Sequence, residues 1–171
     1  MNDIVKNIGW FCGLIVFQIF IIDAIDLGIY SAYFSPLLFS FFILRLKLET
    51  SVFTLLIYAF VLGISIDVFR DTIGLNAAVL LVVAILRKYF LAIISERDDF
   101  DSMIELDFFN LGIVRYLIYF GLGTMTHHFV FVLLEQFSFN HFFLLLYQSF
   151  VNTIIALIIL FFIQYLVIKK K

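Results

Sequence analysis

Residues Phe142–Ile168 read FFLLLYQSFVNTIIALIILFFIQYLVI, an unbroken stretch without a charged residue, a glycine or a proline. About 20 apolar residues in a helix cross the hydrocarbon core of a bilayer. Backbone groups in lipid must be paired within a helix or around a closed barrel, and this run lacks the period-two alternation of a barrel strand. It predicts a transmembrane helix.

Five more apolar runs share its character, over roughly residues 8–22, 27–44, 51–66, 73–94 and 111–134. Of the 171 residues, 64% are hydrophobic and 14% charged. A soluble domain is about half apolar and a quarter charged, so this chain has too little polar surface to cover itself in water. The expected fold is all-α: one polytopic membrane domain over residues 1–171 with six transmembrane helices, its main partner being the lipid bilayer.

Charge orients that arrangement. Lys6, Arg45, Lys47, Arg87, Lys88, Arg97, Arg115 and Lys169, Lys170 and Lys171 fall on one side of a six-span chain, and only Arg70 on the other. Basic residues concentrate on the cytoplasmic side, which puts both termini in the cytoplasm. Removing any one span would break this separation. Arg87 and Lys88 interrupt the fourth run and are expected to snorkel to the headgroups.

The first run follows Lys6 and is succeeded by Asp23 and Asp26 without a small-x-small cleavage pattern, so it reads as an uncleaved span. Pro36 falls inside the second run, where a kinked helix is expected. The segment from Glu96 to Asp107, ERDDFDSMIELD, holds six acids against Arg97 and is expected to be a solvated loop. The single cysteine, Cys12, excludes an intrachain disulfide and any Cys-based metal or redox pair.

The most informative polar stretch is Gly63 to Ala78, GISIDVFRDTIGLNAA, between the third and fourth runs. A third helix continued through Arg70 would place Asp67 and Asp71 on one face with Arg70 beside them, so that the three charges neutralise one another. Asp71 or Thr72 would cap the fourth helix, while Gly63 and Gly74 would permit close packing and a tight turn. The alternative is a site for a partner or ligand. Paired carboxylates with no nucleophile or metal set beside them are a weak catalytic signal, and no enzyme activity and no cofactor are expected.

His127 and His128, with Glu135 two turns on, suggest a metal site or proton relay only superficially. Adjacent side chains on a helix diverge by about 100° and rarely ligate one ion. Interfacial hydrogen bonding is the expected role. Gln148 and Asn152 share one face of the last helix and are placed to bond a neighbour. Gly9 with Gly13, and Gly121 with Gly123, mark expected close helix contacts.

A glycine-bearing span end, then Asp, Phe, an Asp-Thr pair, Gly and a small-residue start to the next span resembles the rod-shape-determining protein MreD family of bacteria. The matching positions are Gly63, Asp67, Phe69, Asp71, Thr72, Gly74, Ala77 and Ala78; Asn76 stands where many members carry a histidine. The resemblance implies a non-enzymatic component of the cell-elongation complex in the bacterial cytoplasmic membrane. It would link an MreC-like scaffold protein and an MreB-like filament to the wall synthases that insert lateral peptidoglycan, with no nucleic-acid partner. It also implies a fold similar to the substrate-binding subunits of energy-coupling-factor vitamin transporters. The competing function is therefore a substrate-binding membrane subunit for vitamin or metal uptake. The charge pattern predicts that reporter fusions at the Lys169–Lys171 tail, and within residues 96–107, will report a cytoplasmic location.

Overall fold

The computed structural model describes residues 3–25, 28, 33–94, 105–137 and 142–168. The described residues form helices and connections only. In chain order these are α1 (Asp3–Phe17), running on into a π-helical turn (Gln18–Ile22), α2 (Ser40–Arg45), α3 (Val52–Arg70), α4 (Leu75–Ile94), α5 (Phe108–Leu111), α6 (Ile113–Gln136) and α7 (Phe142–Ile168). Five helices are long and apolar enough to cross a membrane: α1 with its π turn, α3, α4, α6 and α7. This fits a multi-pass membrane protein. α3 packs on α4, α4 on α6 and α6 on α7, while α1 touches α2 and α3.

The second predicted span departs from expectation. Among the described residues of that run, α-helix is present only over Ser40–Arg45, and residues 34–39 are non-helical. Proline lacks an N–H and its ring collides with the carbonyl four residues back, and it pushes the preceding residue out of the helical region. Pro36 therefore does more than kink the segment. It unwinds it.

Unwound backbone is tolerated at membrane depth only where protein surrounds it and satisfies its polar groups. Side chains from three helices do so here. Gln18 donates from Nε2 to the Pro36 carbonyl at 3.2 Å and accepts from the Leu38 N–H at 2.9 Å. His128 Nε2 accepts from the Leu37 N–H at 2.9 Å, and Asn152 Oδ1 from the Ser35 N–H at 2.7 Å. The π turn begins at Gln18, and the Asp23 N–H reaches back to the Gln18 carbonyl at 2.8 Å.

The short α2 is thereby the centre of the bundle. Every residue of α2 is buried, as are Leu37, Leu38 and Phe39 before it, and α2 contacts α1, α3, α4 and α6. Gly123 of α6 makes room for it, since a Cβ there would lie 2.6 Å from a Leu44 methyl. Trp10, Leu14, Gln18 and Ile22 form the buried face of α1. The opposite face, bearing Val5, Gly9, Cys12, Gly13, Val16 and Phe20, is exposed. A Cβ on Gly9 or Gly13 would meet nothing within 4 Å, so the close contact expected there is not made among the described residues.

Basic side chains gather at the end of the bundle where α2 finishes. Arg45 is buried, donates to Asn7 Oδ1 at 3.2 Å and to Glu105 Oε2 at 2.7 Å, and lies 4.9 Å from the Trp10 ring; Lys6 also pairs with Glu105. Arg87 corrects the snorkelling expectation. It is buried, donates to Tyr119 Oη at 3.0 Å and to the carbonyls of Leu46 and Lys47, and Tyr119 donates in turn to the Leu44 carbonyl at 2.9 Å. Lys88 is exposed, its ammonium 4.9 Å from the Tyr89 ring.

The acidic segment is docked at its C-terminal end rather than solvated. Glu105 holds Lys6 and Arg45, and the buried Asp107 caps α5 by accepting from the Asn110 N–H at 2.9 Å. Burial raises the Asp107 carboxyl above the usual carboxylate range, with backbone N–H groups of Asn110 and Phe109 opposing it. Glu96, Arg97, Asp98, Asp99 and Asp101 lie outside the described residues, as does the Lys169–Lys171 tail. Leucine at Gln18 should strand the Pro36 carbonyl and the Leu38 N–H in a low-dielectric core. The expected loss is about 2 kcal/mol or more, read as a lowered melting midpoint of the helical circular dichroism signal in detergent.

Candidate functional site

The Gly63–Ala78 stretch folds into a locked turn between α3 and α4. Gly63 crosses α4 so closely that a Cβ would lie 2.2 Å from Ala77 Cα. That approach brings the start of α4 against Asp67, which is buried. The first N–H groups of a helix have no partner within it, and a carboxylate placed there satisfies them and complements the helix dipole. Asp67 Oδ1 accepts from the Asn76 N–H at 3.0 Å and Asn76 Nδ2 at 2.9 Å, and Oδ2 from the Ala77 N–H at 3.1 Å. The Thr72 hydroxyl donates to Asp67 Oδ1 at 2.5 Å and accepts from Asn76 Nδ2 at 3.0 Å.

The cap on α4 is therefore Asp67, reaching across from α3, and not Asp71. Asp71 ends α3 in the left-handed conformation, φ 53°, its N–H bonded to the Asp67 carbonyl, and its side chain is exposed. Gly74, φ 73°, starts the next helix by accepting from the Ala78 N–H at 2.9 Å. Phe69 points outward, 60% exposed. Asn76 is buried and matches the two oxygens it faces by donating to both.

The expected mutual pairing of Asp67, Arg70 and Asp71 does not occur. Arg70 forms a bidentate pair with Asp23 at the end of the π turn, Nε to Oδ2 at 2.7 Å and Nη2 to Oδ1 at 2.6 Å, and its Cζ lies 6.0 Å from the Phe131 ring. Asp23 also accepts from Gln18 Nε2 at 2.9 Å. One polar chain thus joins the unwound segment, the first helix and the motif: Pro36, Gln18, Asp23, Arg70.

Beside this chain lies a cavity of about 430 Å³. Ser35 and Leu37 of the unwound segment and Arg70 and Thr72 of the turn form one side. His128, Phe131 and Glu135 of α6 and Gln148 and Asn152 of α7 form the other. His128 is held as a neutral imidazole of defined tautomer, because Nε2 accepts from Leu37 and Nδ1 therefore donates to the Thr124 carbonyl at 2.8 Å. His127 takes a different environment, edge-on to Phe39 with centroids 4.9 Å apart, and neither nitrogen has a hydrogen-bond partner among the described residues. The two histidines are buried, not interfacial, and their roles diverge as their helical spacing implies.

Of the residues singled out in the sequence, the turn brings Asp67, Thr72 and Asn76 together, while Arg70, His128, Glu135, Gln148 and Asn152 meet at the cavity. Gln18 and Ser35 are the members of this site that the sequence reading does not single out. The available signal was the amide at position 18 inside an apolar run, since polar groups at membrane depth are costly unless they serve a partner. Comparison of the chain with protein families, characterised proteins and solved structures finds no match.

Alanine at Asp67 removes the acceptor of two helix-start N–H groups, of the Thr72 hydroxyl and of the Asn76 amide. It should cost about 2 kcal/mol or more and lower the yield of monodisperse protein in detergent. Asp71→Gly should leave the melting midpoint unchanged or slightly higher, because glycine adopts the left-handed conformation without strain.

Proposed function

We propose that the chain is an MreD-like, non-enzymatic component of the bacterial cell-elongation complex. In this reading it sits in the cytoplasmic membrane with both termini inside. It couples an MreC-like scaffold and an MreB-like filament to the synthases that insert lateral peptidoglycan. The motif that carries the resemblance supports the reading. Of its matching residues, Gly63, Asp67, Thr72 and Ala77 form one interlocked unit, with Gly63 set on Ala77 and Asp67 capping α4 with Thr72 alongside, so this part of the pattern has a physical cause.

The polarity of the bundle agrees with six passes. Lys6, Arg45, Arg87 and Glu105 meet at one end and Asp23 with Arg70 at the other. The unwound segment followed by α2 runs from the level of Asn152 and His128 to that of Tyr119 and Arg87, as a sixth crossing would. Most of the described chain is in helices of membrane-spanning length, so partners would be met mainly by lateral helix contact. The open face of α1, with Gly9 and Gly13 uncovered, suits a partner's transmembrane helix, since small residues let two backbones approach closely.

The cavity favours a second reading, a substrate-binding subunit of an uptake system. The two separate cleanly in cells. Depletion from a rod-shaped host should give rounded cells, and mild-detergent extraction of tagged protein should bring the scaffold protein with it. Cysteine at Gly9 or Gly13 should crosslink to that scaffold's membrane helix. Retained cell shape together with failed uptake of a vitamin or metal would replace the elongation reading with the transport one.

A further inference from the structure

The cavity carries a charge and an amide that the fold itself does not use. Glu135 is exposed and, among the described residues, makes no hydrogen bond and no ion pair, while Arg70, which shares the cavity wall, is already bidentate to Asp23. The Gln148 side chain is only 7% exposed, lines the same cavity, and its amide has no hydrogen-bond partner among the described residues. The amide of this largely buried residue opens onto the cavity, where another molecule can complete its hydrogen bonds.

Charge decides what that molecule is. His128 is neutral by its two hydrogen bonds, Arg70 is paired with Asp23, and Glu135 is the lining carboxylate that has no ion pair among the described residues. A divalent metal would need several more oxygen ligands than one carboxylate with amides supplies, and no group of three ligating side chains is present among the described residues. The volume, about 430 Å³, lies within the range of small-molecule sites. Unwound backbone beside polar side chains of facing helices is also how membrane bundles build such sites.

The geometry points to a binding site for a primary ammonium group. Glu135 takes the charge, and Gln148 bonds the neighbouring polar atoms. The ammonium comes either from a free amine or from the ethanolamine headgroup of a membrane lipid. This assignment does not depend on the elongation reading.

The test uses the full chain. In nanodiscs of phosphatidylglycerol alone, ethanolamine, L-lysine and putrescine are titrated against the melting midpoint, with ethylene glycol as the uncharged counterpart. In parallel, native mass spectrometry follows retained lipid after purification from membranes containing phosphatidylethanolamine. A midpoint raised by an amine and not by ethylene glycol identifies a free amine, and selective retention of phosphatidylethanolamine identifies the headgroup. In either case Glu135→Gln should weaken binding about tenfold or more, and Glu135→Asp should retain part of it. Gln148→Leu should weaken binding while keeping the helical signal. The proposal is overturned if neither an amine nor phosphatidylethanolamine binds selectively, or if Glu135→Gln binds as tightly as the unaltered chain.

Discussion

The structure depends on how six residues of backbone survive in an apolar bundle without helical hydrogen bonds. Every unpaired N–H or carbonyl in such surroundings costs far more than it would in water, because no solvent replaces the lost partner. Residues 34–39 are kept by Gln18, His128 and Asn152, three side chains that each bond main-chain atoms of the segment. The arrangement fixes more than the segment. α1, α6 and α7 must all present one particular side chain at one depth, so their axial positions are set by main-chain groups of a fourth element.

From that constraint the rest of the polar architecture follows in order. Gln18 is held in the core, and its amide also reaches Asp23, which in turn holds Arg70 at the end of α3. α3 is tied to α4 by a glycine contact and by a carboxylate that acts as the cap of the next helix. At the other end Arg87 and Tyr119 hold the carbonyls that leave α2. Each end of the bundle is closed by a guanidinium bonded to a different helix from its own.

Hydropathy alone made the long helices legible, because five of the apolar runs are long, carry at most two charges each and lack proline. The 27–44 run was misjudged as one helix for a specific reason. Composition counts apolar residues and does not distinguish a helix lying in lipid from an irregular strand of chain wrapped by protein, and only Pro36 hinted at the difference. At the motif the residues were legible and their partners were not. Local spacing put Asp67 near Arg70, but Asp23, 47 positions away in sequence, holds the arginine in a bidentate pair that no i,i+3 contact matches. Arg87 was read from its place near a span end, whereas its burial follows from carbonyls exposed by the α2–α3 connection, which are visible only in three dimensions.

The π turn at Gln18–Ile22 gives α1 two addresses. A helical turn closed by an i→i−5 bond holds one residue more than an α turn, so side chains beyond it are rotated relative to those before it. In this chain the part before the turn keeps Gly9 and Gly13 on the outside, and the part beyond it carries Asp23 to Arg70. The extra residue works as a phase shifter. It lets one helix serve an outward contact and an inward ion pair whose orientations an ideal helix of the same length would not combine.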